Sequence, residues 1–511
     1  MSSPNNQAQD ANGFLPVDET IKITHTDGVP IGIEVKPETD SVTVKHLPAK
    51  FYSNFISAES RRRKPNSIRG LFPLEKVPGV ISLLAGKPNP STFPISNLQV
   101  TVRSPPDSTG NVKEDKIDIN GSLLAAGLQY GSTAGYEPLV EWIEGLQKFS
   151  HGRAKGEGWR VSMGSGSQDI LYKAFHALIN PGDSVLVESP VYSGVLPLLD
   201  ELRGEIIPIE TDADGIKASS LKEVLENWPE AKPLPKFLYT VPYGCNPTGM
   251  TASTARRIEV LELARKYNFL ILEDDPYYYL YYGKAARPPS YFTLELQQPE
   301  VGRVVRFDSL SKILSAGIRI GFVSGPIPIL NAIDLHTQTA NLQVASLTQA
   351  VAYSVLESWG YETFIQHTEM VSEFYRQKRD VFDAAMQRHL AGLAEWCTPE
   401  AGMFFWFKLL LSPRPPSSSS SPASSSPSPT SARPSEVPNN DSDDSEELIR
   451  TKAFENGVLA LPGTSFLATG GKTAYVRASF SLSGPEDVEE AVRRLKVTIL
   501  QERERMGVVG V

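Results

Sequence analysis

Short apolar runs and amphipathic stretches alternate between about residues 120 and 325, and that rhythm predicts a layered α/β fold. Leu139 to Phe149 gathers its apolar residues on one helical face. Ser184-Val-Leu-Val-Glu188 and Lys236-Phe-Leu-Tyr-Thr-Val241 are instead continuous apolar runs, which suit strands buried on both sides. Thr254 to Tyr267 is strongly periodic and reads as a helix. Phe269-Leu-Ile-Leu-Glu-Asp274 follows directly as a strand, and Arg303-Val-Val-Arg-Phe-Asp308 repeats the theme. The expected architecture is a large, mostly parallel sheet with helices on both faces, and such sheets bind ligands beyond the carboxyl ends of their strands.

The flanks follow a different pattern. Before this region, Ile21-Lys-Ile-Thr, Ile31-Gly-Ile-Glu-Val and Val42-Thr-Val look strand-like but have no helical partner, and they suggest no role. Beyond residue 345 a long helical stretch runs through Glu357 and Ala384 to Leu393. It leads to Met403-Phe-Phe-Trp-Phe-Lys-Leu, a helix near Glu446 to Asn456 and a strand at Tyr475-Val-Arg-Ala-Ser-Phe, which together predict a smaller α+β domain. Serine and proline dominate Ser412 to Asn440, so this segment buries too little apolar surface to offset its ordering entropy. It reads as a disordered insertion ending in the acidic run Asp441-Ser-Asp-Asp-Ser-Glu-Glu447. Ser442 and Ser445, among acidic neighbours, are candidate phosphorylation positions; a simple surface loop is the alternative.

Charge and cysteine content narrow the function classes. A net charge of −9 and a pI near 5.5 argue against a nucleic-acid partner, and the one basic run, Arg61-Arg-Arg-Lys64, suits a solvated helix face. With only Cys245 and Cys397, neither a disulfide framework nor a four-cysteine zinc cluster can form, and a reducing compartment fits. The amino terminus has no basic region followed by an apolar core, and no segment is long enough to span a bilayer, so the expected location is cytoplasmic, with no membrane partner. The seven histidines are scattered without ligand spacing, which argues against a metal site.

Candidate chemistry centres on Phe307-Asp-Ser-Leu-Ser-Lys-Ile-Leu-Ser-Ala-Gly-Ile-Arg-Ile-Gly321. A lysine becomes a Schiff-base nucleophile when desolvation or a positive neighbour removes its proton. Lys312 has Leu310, Ile313 and Leu314 around it, while Ser309, Ser311 and Arg319 suit an anion, Arg319 in the two-pronged manner that matches phosphate. Pyridoxal phosphate requires both features; a solvated loop lysine is the alternative. Trp159 to Phe175 reads as strand, glycine-rich turn and helix start, where Ser167 and Gln168 could hold a phosphate. It is neither a dinucleotide fingerprint, because Asp169 stands at the third glycine, nor a P-loop. A turn without ligand explains it equally well in isolation.

Asp274 ends a strand and would point into the ligand crevice, where it could keep a pyridine nitrogen protonated. Tyr277 could donate to the ring's phenolic oxygen. The competing role of Glu273-Asp-Asp275 is a helix-capping cluster before Pro276. Asn246, in Pro242-Tyr-Gly-Cys-Asn-Pro-Thr-Gly249, could contact the same ring oxygen, and Tyr192, in Glu188-Ser-Pro-Val-Tyr-Ser-Gly194, could lie against the ring. Turn chemistry and core packing are their ordinary alternatives.

These segments share one order and one chemistry, and the chain resembles the class I/II aminotransferases, fold-type I enzymes that use pyridoxal phosphate. The resemblance runs from about residue 55 to the carboxyl end, apart from the insertion. At the level of the branch with aromatic amino acid, 2-aminoadipate and kynurenine aminotransferases it lies in Pro65-Asn-Ser-Ile-Arg69, Ile81 to Pro90, Leu128-Gln-Tyr-Gly-Ser-Thr-Ala-Gly135, Glu273-Asp-Asp-Pro-Tyr-Tyr278 and Asp308 to Arg319. It implies an α/β fold with a large pyridoxal-phosphate-binding domain over 101–355 and a small α+β domain over 356–511, interrupted at 412–447. Residues 1–50 would be an extension, and 51–100 would join the small domain and cover the active site.

The resemblance further implies that Lys312 carries the cofactor, Asp274 pairs with its pyridinium, Asn246 and Tyr277 contact the ring oxygen, and Tyr192 stacks on the ring. Ser167, Gln168, Ser309, Ser311 and Arg319 match the phosphate cup. Arg477 matches the arginine that clamps the substrate's α-carboxylate, against the alternative of an edge-strand arginine, and Asn246 also borders the substrate. Gly86 matches a position lining the substrate site, and Arg69 belongs to a segment closing over it. Tyr130 matches a residue given to the partner subunit's phosphate site, which implies a homodimer. The implied reaction is amino transfer from an amino acid, aromatic favoured and 2-aminoadipate or kynurenine next, to a 2-oxo acid such as 2-oxoglutarate. A β-eliminating lyase on the same fold is the nearest rival. A winged DNA-binding regulator fits less well, because only about fifty strand-like residues precede the matching region.

Overall fold

The computed structural model describes residues 20–22, 43–84, 86–106, 110–412 and 443–508. Eight strands form the central sheet: β1 (Trp159–Gly164), β2 (Ser184–Ser189), β3 (Glu205–Asp212), β4 (Gly215–Ile216), β5 (Phe237–Thr240), β6 (Leu270–Asp274), β7 (Val304–Ser309) and β8 (Gly321–Pro326). Their order is β1-β8-β7-β6-β5-β2-β3-β4. The neighbours from β7 through β6, β5 and β2 to β3 are parallel. β8 is antiparallel to both β7 and β1, and β4 turns back along β3. Every residue of β2, β5, β6, β7 and β8 is buried, the condition of strands covered on both faces.

Helices α1 (Glu137–His151), α2 (Ser167–Leu178), α3 (Thr254–Tyr267) and α4 (Ile327–Ala340) flank this sheet. Local chemistry sets the limits of α3: the Ser253 hydroxyl accepts the Arg256 N–H at 3.4 Å, and Asn268 ends the helix in a left-handed conformation. Its bounds coincide with those expected from the periodicity.

The long helix α5 (Ser346–Leu390) is interrupted at Gly360, whose φ of 66° and ψ of −176° leave the helical region. Ala352, Leu356 and Phe364 of α5 pack into the core of the large sheet, whereas Phe382, Ala385, Met386 and Leu390 belong to a second core. Residues 355 and 356 thus lie within one helix common to both cores. The second core is built on β9 (Ala394–Trp396), β10 (Phe404–Leu409), β11 (Leu461–Pro462) and β12 (Tyr475–Ser479), antiparallel in the order β9-β10-β12-β11. Helix α6 (Pro485–Arg505) closes it with Val488, Val492, Leu495 and Ile499. Among the described residues, no helix is long and apolar enough to cross a membrane.

At the amino-terminal side, Thr20–Lys22 pairs antiparallel with Thr43–Lys45, while Ile31 to Val35 lie outside the described residues. Residues just beyond attach to the large sheet's domain: the Leu47 N–H donates to Val301 O, the Ser57 N–H to Ala177 O and the Tyr52 hydroxyl to Gly302 O. A ribbon of Leu98–Arg103 with Glu114–Ile119 spans residue 100, so the chain has no break there. Of the serine-rich insertion, 413–442 lie outside the described residues, Ser442 among them. Ser412 donates its N–H to Asp443 Oδ2 at 3.0 Å, and the acidic residues 443–447 are folded into the small domain. Ser445 is a correction to the phosphorylation expectation: it is fully buried, with its hydroxyl on Tyr475 O at 2.7 Å, and is closed to a kinase in the folded chain.

Candidate active site

Because β2, β5, β6 and β7 are parallel, their carboxyl ends and the loops that follow share one edge of the sheet. Three acidic residues in a row end β6, and their surroundings separate their roles. Glu273 accepts the backbone N–H groups of Tyr291 and Phe292 at 2.9 and 3.2 Å, and so does cap a short helix. Asp275 pairs with the buried Arg306 at 2.8 Å, and that guanidinium also holds Asp308 at 2.8 Å. Asp274 faces other partners: its Oδ2 accepts the Tyr239 hydroxyl at 2.6 Å, and its Oδ1 is buried without a partner. Burial pushes the Asp274 carboxyl up to about 7; the Tyr239 hydrogen bond opposes this, Asp308 adds to it and Arg306 opposes it.

Lys312 lies in the turn Leu310–Lys312 immediately after β7, half-buried. Its ammonium is held below the usual lysine range first by burial and then by the positive charge of Arg319. Both conditions for a nucleophilic amine are therefore met. Arg319 adopts a left-handed conformation with φ of 52° and spans two segments, donating to Ser165 O at 3.0 Å and to Ser311 Oγ at 3.3 Å. Gly166 permits this approach, since a Cβ there would lie 2.2 Å from Arg319 Nη2. Gly321 performs the same service for the start of α2, where a Cβ would come within 2.6 Å of the Ser167 N. Ser167, Ser309, Ser311 and Arg319 are thus gathered at one helix amino terminus, a setting that favours an anion. Gln168 sits beside them, but its side chain donates to Gly194 O at 2.8 Å.

Asn246, buried and preceding a cis proline, accepts the Arg477 Nη1 hydrogen bond through Oδ1 at 2.8 Å. Arg477 is in β12, paired with Trp406 of β10 on one side and Leu461 of β11 on the other, so it occupies an interior strand and not an edge. Its guanidinium lies 4.4 Å from the Phe404 ring centroid and 5.1 Å from that of Phe466, and its Nε is buried without a partner. The Tyr192 and Tyr277 hydroxyls are both raised above the usual range, foremost by burial and next by the nearby Asp274 charge, while Arg477 lowers both. Tyr192 and Tyr277 therefore lie within the electrostatic reach of both Asp274 and Arg477, and Arg477 joins the small sheet to Asn246.

Three expected residues lie apart from this group. Arg69 donates to Gly131 O at 3.0 Å, Thr133 Oγ1 at 3.1 Å and Gln343 Oε1 at 3.1 Å, tying the amino-terminal segment to the loop before α1 and to the turn between α4 and α5. Gly86 is exposed, and a Cβ there would meet nothing within 4 Å. Tyr130 is 54% exposed, directed at the surface of the single chain. Conversely, sequence reading passed over Tyr239, Glu188, Phe404 and Phe466. Only their positions near strand ends signalled them, and each looked like core.

The donor set fits pyridoxal phosphate on three counts. Asp274 Oδ1 lacks the proton donor that a pyridinium N–H would supply, Ser167 and Arg319 meet at a helix amino terminus that favours an anion, and Lys312 is partly desolvated.

Comparison with known proteins assigns the class. The profile of the aminotransferase class I and II family matches residues 120–495. The chain belongs to this pyridoxal-phosphate-dependent family and is an aminotransferase. It is 41% identical over 442 residues to the aminotransferase TdiD of Emericella nidulans, covering 86% of this chain and 94% of that one. It is 38% identical over 459 residues to the mitochondrial kynurenine/alpha-aminoadipate aminotransferase of Bos taurus, covering 87% and 98%. Among solved structures, an aminotransferase of Candida albicans superposes with a TM-score of 0.75 at 25% identity, covering 90% of this chain and 99% of that one. The α/β architecture is that of the fold-type I aminotransferases, as the sequence motifs led us to expect.

Proposed function

We propose that this aminotransferase binds pyridoxal phosphate at the carboxyl edge of the large sheet and moves an amino group between an aromatic amino acid, kynurenine or 2-aminoadipate and a 2-oxo acid such as 2-oxoglutarate. The observation that carries this reading is Asp274, whose second oxygen is buried and unpartnered at the carboxyl end of β6.

When bound, the cofactor supplies an electron sink for the charge left as the substrate's α-C–H bond breaks. Asp274 keeps the ring nitrogen protonated, and Tyr239 fixes the carboxylate that does so. Lys312 holds the cofactor, and its amine, once free, moves the α-proton as a general base. Ser167, Gln168, Ser309, Ser311 and Arg319 hold the phosphate. Asn246 and Tyr277 meet the ring oxygen, and Tyr192 lies on the ring face. Arg477 takes the substrate's α-carboxylate, a role supported by its unpartnered Nε and by the Asn246 bond that orients it. Arg69 and Gly86 belong to the cover over the substrate. A homodimer in which Tyr130 reaches the partner's phosphate site belongs to the same reading, as does cytoplasmic residence, which fractionation of native cells tests against relatives named as mitochondrial.

The names of the similar proteins support the substrate range. Initial rates with phenylalanine, tyrosine, tryptophan, kynurenine, 2-aminoadipate and leucine against 2-oxoglutarate test it. Glutamate formation with the aromatic donors is expected, whereas ammonia release without a 2-oxo acid would point to the β-eliminating lyase.

A further inference from the structure

Tyr192 and Asn246 come from loops that leave two neighbouring strands, β2 and β5. The ladder between these strands pairs Leu186 with Leu238 and Val187 with Tyr239, and goes no further. Glu188 stands where the ladder stops. Its side chain is fully buried and takes three hydrogen bonds, one from the last residue of β5 and two from the segment that follows. Oε1 accepts the Val241 N–H at 2.8 Å and the Cys245 thiol at 3.3 Å, and Oε2 accepts the Thr240 hydroxyl at 2.9 Å. Among the described residues it makes no ion pair, and burial pushes the carboxyl up to about 8. A buried carboxyl with no counter-charge is costly, and apolar side chains fill the positions around it at no such cost.

We propose that Glu188 is a positioning residue: its carboxyl pins the Thr240–Cys245 segment to the end of β2 and so sets the separation of Tyr192 from Asn246. Through the Asn246–Arg477 hydrogen bond it also sets the seat of the substrate carboxylate. This rests on the roles proposed above for Tyr192, Asn246 and Arg477. Three residues separate Glu188 from Tyr192, and Cys245 is adjacent to Asn246, so a slip at the tie reaches both contacts directly. Misplacement by about 1 Å is enough to slow a reaction substantially. Glutamine can reproduce the tie, because its oxygen accepts the Val241 N–H and the Cys245 thiol while its amide donates to Thr240 Oγ.

The test uses the holoenzyme with Glu188→Gln, Glu188→Ala and Thr240→Val, reading KM and kcat for both substrates, the pH midpoint of the bound cofactor's visible absorption, and thermal unfolding. Glu188→Ala is expected to raise KM for donor and acceptor about tenfold and to move the absorption midpoint by about half a pH unit. Glu188→Gln should restore both to near wild type, and Thr240→Val should shift both in the direction of Ala by a smaller amount. Wild-type KM and absorption in a folded Glu188→Ala protein, or a Gln variant as impaired as Ala, would overturn the proposal. So would a change confined to thermal unfolding. If Glu188→Ala does not fold, Thr240→Val decides: unchanged KM and absorption there also overturn it. Arg477→Ala in the same assays separates the two levels. If that variant leaves KM unchanged, the reading of the site fails; if it raises KM while the Glu188 variants do not, only the role of Glu188 fails.

Discussion

The Tyr239 hydroxyl donates to Asp274 Oδ2 at 2.6 Å and leaves Oδ1 of the same carboxyl buried and unpartnered. One oxygen is thereby fixed in place by the protein, and the other is available to a ligand. Burial raises this carboxyl to about 7, so a positive partner at Oδ1 would favour its ionised form.

Tyr239→Phe removes the hydrogen bond that opposes the upward shift of Asp274. The carboxyl should then hold its proton more tightly, and cofactor affinity at neutral pH should fall about ten- to a hundredfold, in line with the loss of about 1.5–3 kcal/mol for a hydrogen bond to a charged group. Absorption titration of the apoprotein with pyridoxal phosphate checks this; unchanged affinity would count against Tyr239 as the support of Asp274.

Stability of the apoprotein should carry the signature of the same group. The folded carboxyl titrates near 7 and the unfolded one near 3.8, so between those values the folded state holds the proton that the unfolded state has lost. The Asp274 contribution is thus fully present below about pH 4 and is lost as pH rises to about 7, on the order of 4 kcal/mol in all. Denaturant unfolding at stepped pH should show a shallower decline in Asp274→Asn than in wild type across that window. Saturating cofactor should also flatten the wild-type decline, because a protonated ring nitrogen keeps the carboxylate charged.

Arg477→Lys keeps the charge but cannot hold Asn246 and grip a carboxylate with two prongs at once. KM for both the amino acid and the 2-oxo acid should rise on the order of ten- to a hundredfold, with a smaller change in kcat. Steady-state kinetics in both directions test it, and an effect on one substrate alone would argue that the arginine serves a side chain instead of the shared α-carboxylate.

The placement of these candidate residues is legible because they close strands or open helices, where sequence punctuation is strong. Asp274 ends a continuous apolar run, Ser167 follows a glycine turn, and Lys312 sits between small hydroxyl residues just after a strand. The helix at Thr254 to Tyr267 was readable because both of its caps are local. Other features depend on contacts between segments far apart in the chain. Tyr239 looked like any buried strand residue until β6 was laid beside β5. Arg477 could equally have been at an edge, since strand order in the small sheet is set by β10 and β11 pairing on either side of β12. The antiparallel direction of β8 was likewise invisible, because a fully buried strand has the same composition in either direction. Ser445 misled for a related reason: its acidic neighbours look solvated, yet the hydroxyl turns inward to Tyr475 O.

The central claim, that Lys312 carries pyridoxal phosphate in an aminotransferase, is tested most directly by reducing the holoenzyme with borohydride and mapping the labelled peptide by mass spectrometry. The account predicts one pyridoxyl-phosphate label, on Lys312, together with loss of the visible absorption and of transamination in Lys312→Ala. A label on a different lysine, or an active Lys312→Ala enzyme, would contradict it.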